Sequence, residues 1–211
     1  METPLLVVMA AVSAFLHIRA EYGGARHQVY VFKPLTITLI ILIAILAGTP
    51  DSSRYRLAIV AGLVCSLAGD IFLMLPSDRF VAGLLSFLGA HLFYIAAFTS
   101  EIGFRFSLWS SIPAAIIGVS MFAFLLHYLG KMKLPVLVYM VVILVMASLA
   151  WERWTYTGQG VALFAFFGAG FFLVSDSALA INRFRGQYRA APVLVLGTYF
   201  AGQCLIALST G

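Results

Sequence analysis

Two acidic residues stand inside apolar stretches long enough to cross a bilayer: Asp70 in CSLAGDIFLML and Asp176 in FFLVSDSALAI. An aspartate at the centre of a membrane helix costs about 2.5–3.5 kcal/mol on insertion scales, so it usually faces a cavity or a partner. Small residues adjoin both, Gly69 beside Asp70 and Ser175 and Ser177 beside Asp176, which suits a shared polar pocket. An apolar surround favours the neutral acid, and two neighbouring carboxyls do not ionise together easily. A neutral acid beside an ionised base is the pairing that general acid–base hydrolysis requires. The plainer reading is a structural hydrogen bond between helices. Two acids at matched depth weigh toward a functional site, given the expense of burying either.

The elements that carry these residues follow from composition. Of 211 residues, 63% are hydrophobic and 10% charged, and the mean hydropathy is +1.04. Soluble domains are about 45–50% apolar and about 25% charged, so a soluble globule is excluded and a polytopic membrane protein expected. Eight apolar segments can be counted, at about 4–18, 34–47, 57–75, 80–99, 108–126, 134–150, 161–181 and 192–209. No segment alternates like a strand, and irregular backbone is not viable in lipid. The fold class is therefore all-α, a single integral membrane domain over 1–211 formed by a bundle of eight transmembrane helices. Connectors such as EYGGARHQ, PSDR, GKMK, ERWTYTGQG and NRFRGQYRA read as loops. Pro34, Pro135 and Pro192 fall near segment starts, where a missing N–H costs little. The first apolar run, Leu5–Ile18, has Arg19 and Arg26 after it rather than basic residues before it, the reverse of a secretory signal. It is expected to be a retained helix.

Lys and Arg set the orientation. The connectors after spans one, three, five and seven hold nine: Arg19, Arg26, Lys33, Arg79, Lys131, Lys133, Arg183, Arg185 and Arg189. The other side holds four, Arg54, Arg56, Arg105 and Arg153. Both termini are then expected outside, with spans three and seven running toward the cytoplasm. Each Asp lies five residues before the expected end of its span, so at 1.5 Å per residue the carboxyls share a depth of about 7–8 Å. Tyr139 and Tyr199 come to nearly the same layer, His91, Tyr94 and Gln203 lie somewhat deeper, and Lys33 stands at the mouth of span two.

Each has a plainer reading. His91 is a positioning group or a packing histidine, and one buried His without neighbouring ligands does not make a zinc site. The tyrosines are ordinary aromatics or hydrogen-bond donors. Lys33 is an interface residue that snorkels, or a partner of a lipid phosphate. Arg183, Arg185 and Arg189 are topology signals or contacts for anionic headgroups. Gly62, Ser66 and Gly69, with Gly83, Ser86 and Gly89, allow close helix packing. Cys65 and Cys204 lie in apolar spans, with no CxxC or metal-type spacing, and read as packing residues. The net charge of +5 is scattered through connectors, which does not fit nucleic-acid binding. There is no phosphate loop and no GxSxG elbow.

SLAGDIFLML followed by FVAGLLSFLGAHLFYIAAF resembles the YhhN/TMEM86 family of integral membrane proteins. The likeness extends to Lys33–Pro34, the stretch from Pro135 through Tyr139 to Met146, GAGFFLVSDSALAINRF, and TYFAGQ from Thr198 to Gln203. It covers nearly the whole chain. The resemblance implies eight transmembrane helices and lysoplasmalogenase activity: hydrolysis of the vinyl ether of a lysoplasmalogen to a fatty aldehyde and glycerophosphoethanolamine or glycerophosphocholine. It also implies that Asp70 and Asp176 are the acidic pair and that His91, Tyr94, Tyr139, Tyr199 and Gln203 form the polar pocket. Where many relatives read Tyr-x-x-Ala-Gln, Gly202 stands here. The expected partners are a lysophospholipid substrate and membrane lipids, in a bacterial inner (cell) membrane. The expected chemistry needs no metal or cofactor. Paired intramembrane acids equally suit a small proton-coupled transporter, which stays open beside the hydrolase.

Overall fold

The computed structural model describes residues 2–47 and 53–211. Among them there are eight long helices and no strand: α1 (Glu2–Gly23), α2 (Arg26–Leu46), α3 (Ser53–Met74), α4 (Phe80–Thr99), α5 (Leu108–Leu125), α6 (Lys133–Thr157), α7 (Gly160–Ala180) and α8 (Ala191–Leu208). A short 3-10 turn, Gly130–Met132, leads into α6, and a π turn, Ile181–Arg185, prolongs α7. Each long helix is apolar enough to cross a membrane. In lipid a helix satisfies its own backbone polar groups, so an apolar run of this length has no better option.

Neighbour contacts close a ring in the order α2, α3, α4, α6, α7, α8 and back to α2. α1 lies over α2 and α8, and α5 rests chiefly on α6. Large side chains fill the ring interior, among them Ile40, Ile59, Tyr94, Phe98, Met146 and Phe172. Leu57, Val119 and Leu134 face outward, as a lipid-exposed surface requires. Glycines set how closely the helices approach. A Cβ on Gly62 would strike the Tyr94 ring and one on Gly69 the Phe87 ring, so α3 and α4 meet through these rings. Between α7 and α8 the contact is backbone on backbone: a Cβ on Gly168 would lie 2.8 Å from the Gly202 carbonyl oxygen, and the reverse holds for Gly202. The crossing is thus tighter than an alanine at Gly202 would permit without a shift.

The helix ends differ from the expected spans. EYGGARHQ is helical except for Gly24 and Ala25, with Gly24 in the left-handed region (φ 66) making the turn. α2 therefore starts at Arg26, and Pro34 lies inside it rather than at its start. ERWTYTGQG likewise continues α6 to Thr157, where Gly158 (φ 63) ends it. Arg153 is in consequence buried, with Nε donating to Glu101 Oε2 at 3.1 Å and its guanidinium 4.2 Å over the Tyr55 ring. Polar residues in the end turns of a helix look like loops when only hydropathy is read.

Candidate functional site

Asp70 and Asp176 each sit four residues before the end of their helix, α3 and α7. Both line one cavity of about 430 Å³, together with Lys33 and Tyr199. Asp70 is only 2% exposed, and both its oxygens are engaged. Lys33 Nζ lies 3.1 Å from Oδ1, and the Tyr199 hydroxyl donates to Oδ2 at 2.7 Å. A buried carboxylate is tolerable when a cation and a hydrogen-bond donor compensate it, as here.

Asp176 has different company. The Tyr139 hydroxyl donates to its Oδ2 at 2.5 Å, and His91 Nε2 is 4.0 Å from the same oxygen, beyond hydrogen-bond range. Its Oδ1 has no hydrogen-bond partner among the described residues, and its side chain is 15% exposed. His91 is fully buried edge-on between Tyr139 and Phe172, with ring centroids 5.1 and 4.7 Å away. Neither of its ring nitrogens has a hydrogen-bond partner among the described residues.

Tyr94 and Gln203 lie behind this layer and do not reach the cavity. The Tyr94 hydroxyl donates to Gln203 Oε1 at 2.7 Å, and Gln203 Nε2 donates to Ser66 Oγ at 2.8 Å. This chain stitches α4, α8 and α3 together beneath Asp70 and Tyr199. Ser175 is also a stitch, donating to the Val195 carbonyl at 2.9 Å.

Lys33 is not a snorkelling residue at a helix mouth. It is 8% exposed and points inward to Asp70, because α2 begins seven residues earlier than Lys33, at Arg26. The arginines after α7 are also committed. Arg183 donates to Asp78 at 2.6 Å and lies 4.8 Å over the Phe80 ring, while Arg185 covers the Phe124 ring at 4.7 Å. The Arg183 hydrogen bond holds the exposed Asp78 carboxyl below its usual range.

Four polar cavity residues escaped the sequence reading: Glu21, Asn182, Gln187 and Tyr188. Glu21 comes from the last turns of α1, 3.4 Å from His17 Nε2. Its signal was an acid one helical turn after an apolar histidine, hidden once the helix was ended at Ile18. The other three lie in the π turn and the connector that covers the cavity. A second space adjoins the first. It is a narrow apolar slot of about 70 Å³ among α4, α5, α6 and α7, and it shares Leu73, Phe87, Asp176 and Leu179 with the polar cavity.

Fold and site together define a multi-pass integral membrane protein with a polar chamber sunk into a helical bundle. The model of the YhhN family matches residues 28–210, and the chain belongs to that family. It is 32% identical over 202 residues to "Uncharacterized membrane protein YhhN" of Escherichia coli O6:H1, covering 96% of each chain. It is 34% identical over 177 residues to human "Lysoplasmalogenase TMEM86A", covering 78% of this chain and 68% of that one. Against mouse "Lysoplasmalogenase TMEM86B" the identity is 31% over 179 residues, 84% of this chain and 72% of the relative. No solved structure matches the chain.

Proposed function

We propose that the protein is a lysoplasmalogenase, an ether hydrolase that cleaves the vinyl ether of a single-chain glycerophospholipid within the membrane. The observation that carries this reading is the unequal pair of carboxyls on one cavity, one tied to a lysine and one not. The names of the mammalian relatives support the same reaction.

The two environments divide the work. Asp70, compensated by Lys33, is the standing anion. Asp176 has a phenol and an imidazole beside it, no cation within ion-pair reach among the described residues, and an uncommitted oxygen, so it is the general acid. Asp176 delivers its proton to the vinyl carbon remote from oxygen, and the ether becomes an oxocarbenium ion. The Asp70 carboxylate lowers the energy of that cation, much as paired carboxyls do in glycosidases. Water adds to the cationic carbon and gives its proton to the Asp176 carboxylate, restoring the acid. The resulting hemiacetal loses its hydroxyl proton as the C–O bond to glycerol breaks and the glycerol oxygen is protonated. The products are a fatty aldehyde and a glycerophosphodiester, and one water is consumed.

Tyr139 fixes one Asp176 oxygen and leaves the other to face substrate. Tyr199 and Lys33 hold Asp70, and the chain through Tyr94, Gln203 and Ser66 ties α8, which carries Tyr199, to α3, which carries Asp70. Side chains that prepay orientation in this way lower the barrier without moving during reaction.

The test is aldehyde release by purified protein, with an ester lysolipid as control. Asp176→Asn is expected to lose about 10²–10⁴-fold in kcat, the usual contribution of a general acid. The ester is expected to survive. Full activity of Asp176→Asn, or pH-driven solute uptake in liposomes without any cleavage, would overturn the assignment.

A further inference from the structure

We infer that the apolar slot beside Asp176 is the subsite for the hydrocarbon chain of the lipid, and that Gly118 and Leu144 set the chain length it accepts. This rests on the reaction proposed above and adds the place of the chain. The slot and the polar cavity share Asp176, so a bond held at that carboxyl has a polar space on one side and a hydrocarbon-lined space on the other. A single-chain lipid has the same division at its vinyl ether: phosphate and glycerol on one side, hydrocarbon on the other.

The slot lining is apolar except at Tyr139, Asp176 and Ser177, and of these Asp176 also lines the polar cavity. Its other end lies against Gly118 of α5 and Leu144 of α6. Leu144 is five residues beyond Tyr139 on α6, so this end is about 7–8 Å deeper in the bundle. A Cβ on Gly118 would strike the tip of Leu144, so the glycine leaves room for that tip, and a larger residue there would push it into the slot. Ile117, beside it, also lines the slot and is 45% exposed, which puts this end at the outer, lipid-facing surface. α5 packs chiefly on α6 and otherwise on the π turn after α7, the looser packing that a lateral opening between α4 and α5 needs.

The experiment compares lysoplasmalogens with hexenyl and hexadecenyl chains. A hexenyl chain starting at Asp176 ends before Gly118, whereas a hexadecenyl chain must pass it. Gly118→Leu is expected to lower the long-to-short ratio of kcat/KM about ten-fold, the scale on which a hydrophobic pocket discriminates one or two methylenes. Leu144→Ala added to it is expected to restore the ratio. Met121→Phe narrows the same slot from another position and serves if Gly118→Leu does not fold. An unchanged ratio in a folded variant, or an equal fall for both chains, overturns the inference. If the wild type cleaves neither lipid, the proposed reaction fails and the slot is tested separately with saturated ether lysophospholipids of the two lengths. Stabilisation of wild type against heat by the long lipid, lost in Gly118→Leu, then supports the slot; equal stabilisation of both proteins overturns it.

Discussion

Lys33 and Asp70 meet at 3.1 Å inside the bundle, one 8% exposed and the other 2%. Such a pair is poor evidence of stability in itself, because desolvating both charges offsets most of their attraction. Breaking it is another matter, since the surviving charge is left buried and uncompensated. Lys33→Met is therefore expected to destabilise the protein by about 3–5 kcal/mol. Asp70→Asn added to Lys33→Met removes the orphaned charge while keeping an acceptor for Tyr199, and most of the lost stability is expected to return. Activity is not expected to return with it, because the standing anion is gone. Melting in detergent and aldehyde release, measured on the same three proteins, separate the two effects. If Lys33→Met melts like wild type, the ion pair does not form. The aspartates themselves were legible in sequence because acid in an apolar run is conspicuous. The lysine was misplaced because its charge, so near a supposed span end, has an innocuous interfacial explanation.

At the scale of elements the site depends on how closely helices approach, and glycine decides that in α3, α7 and α8. α7 carries Asp176 and α8 carries Tyr199 and Gln203, so their crossing sets the distance between the two halves of the polar layer. Gly168→Ala places a methyl 2.8 Å from the Gly202 carbonyl oxygen and 3.0 Å from the Ile206 nitrogen, both backbone and unable to rotate away. Overpacking of this kind costs about 1–3 kcal/mol. The variant is expected to melt lower by that amount and to lose activity as α8 is displaced; an alanine tolerated on both measures would mean the helices are free to separate. Sequence reading found eight apolar segments because hydropathy over twenty residues is a strong signal. It put the ends wrong at EYGGARHQ and ERWTYTGQG, where glycine, arginine and glutamate in the end turns of helices resemble loop punctuation. The cost was functional, since Glu21 lies in the first of these stretches and Lys33 just past it, in a turn of α2 that was read as connector.

For the whole molecule, the order of helices around the ring is what brings α2, α3, α7 and α8 to one cavity, and no single-sequence signal encodes lateral order. Depth, by contrast, follows from counting residues along each span, which is why the acids, Tyr139 and Tyr199 were expected in one layer. Orientation rests on charge. Lys33 and Arg153 are buried in ion pairs and no longer count as connector charges, which leaves eight basic residues on one side and three on the other. Because the bias is undiminished, the cavity and the α3–α4 connector are proposed to face the cytoplasm. Accessible cysteines test this in a background with Cys65 and Cys204 changed to alanine, both of which lie half-buried within spans. Ser77→Cys, on the exposed α3–α4 connector, is expected to react with a membrane-impermeant maleimide only after cells are opened. Ser100→Cys, exposed at the other end of α4, is expected to react in intact cells. The reverse pattern would place the chamber in the outer leaflet, and lipid reaching it would have to come from that side.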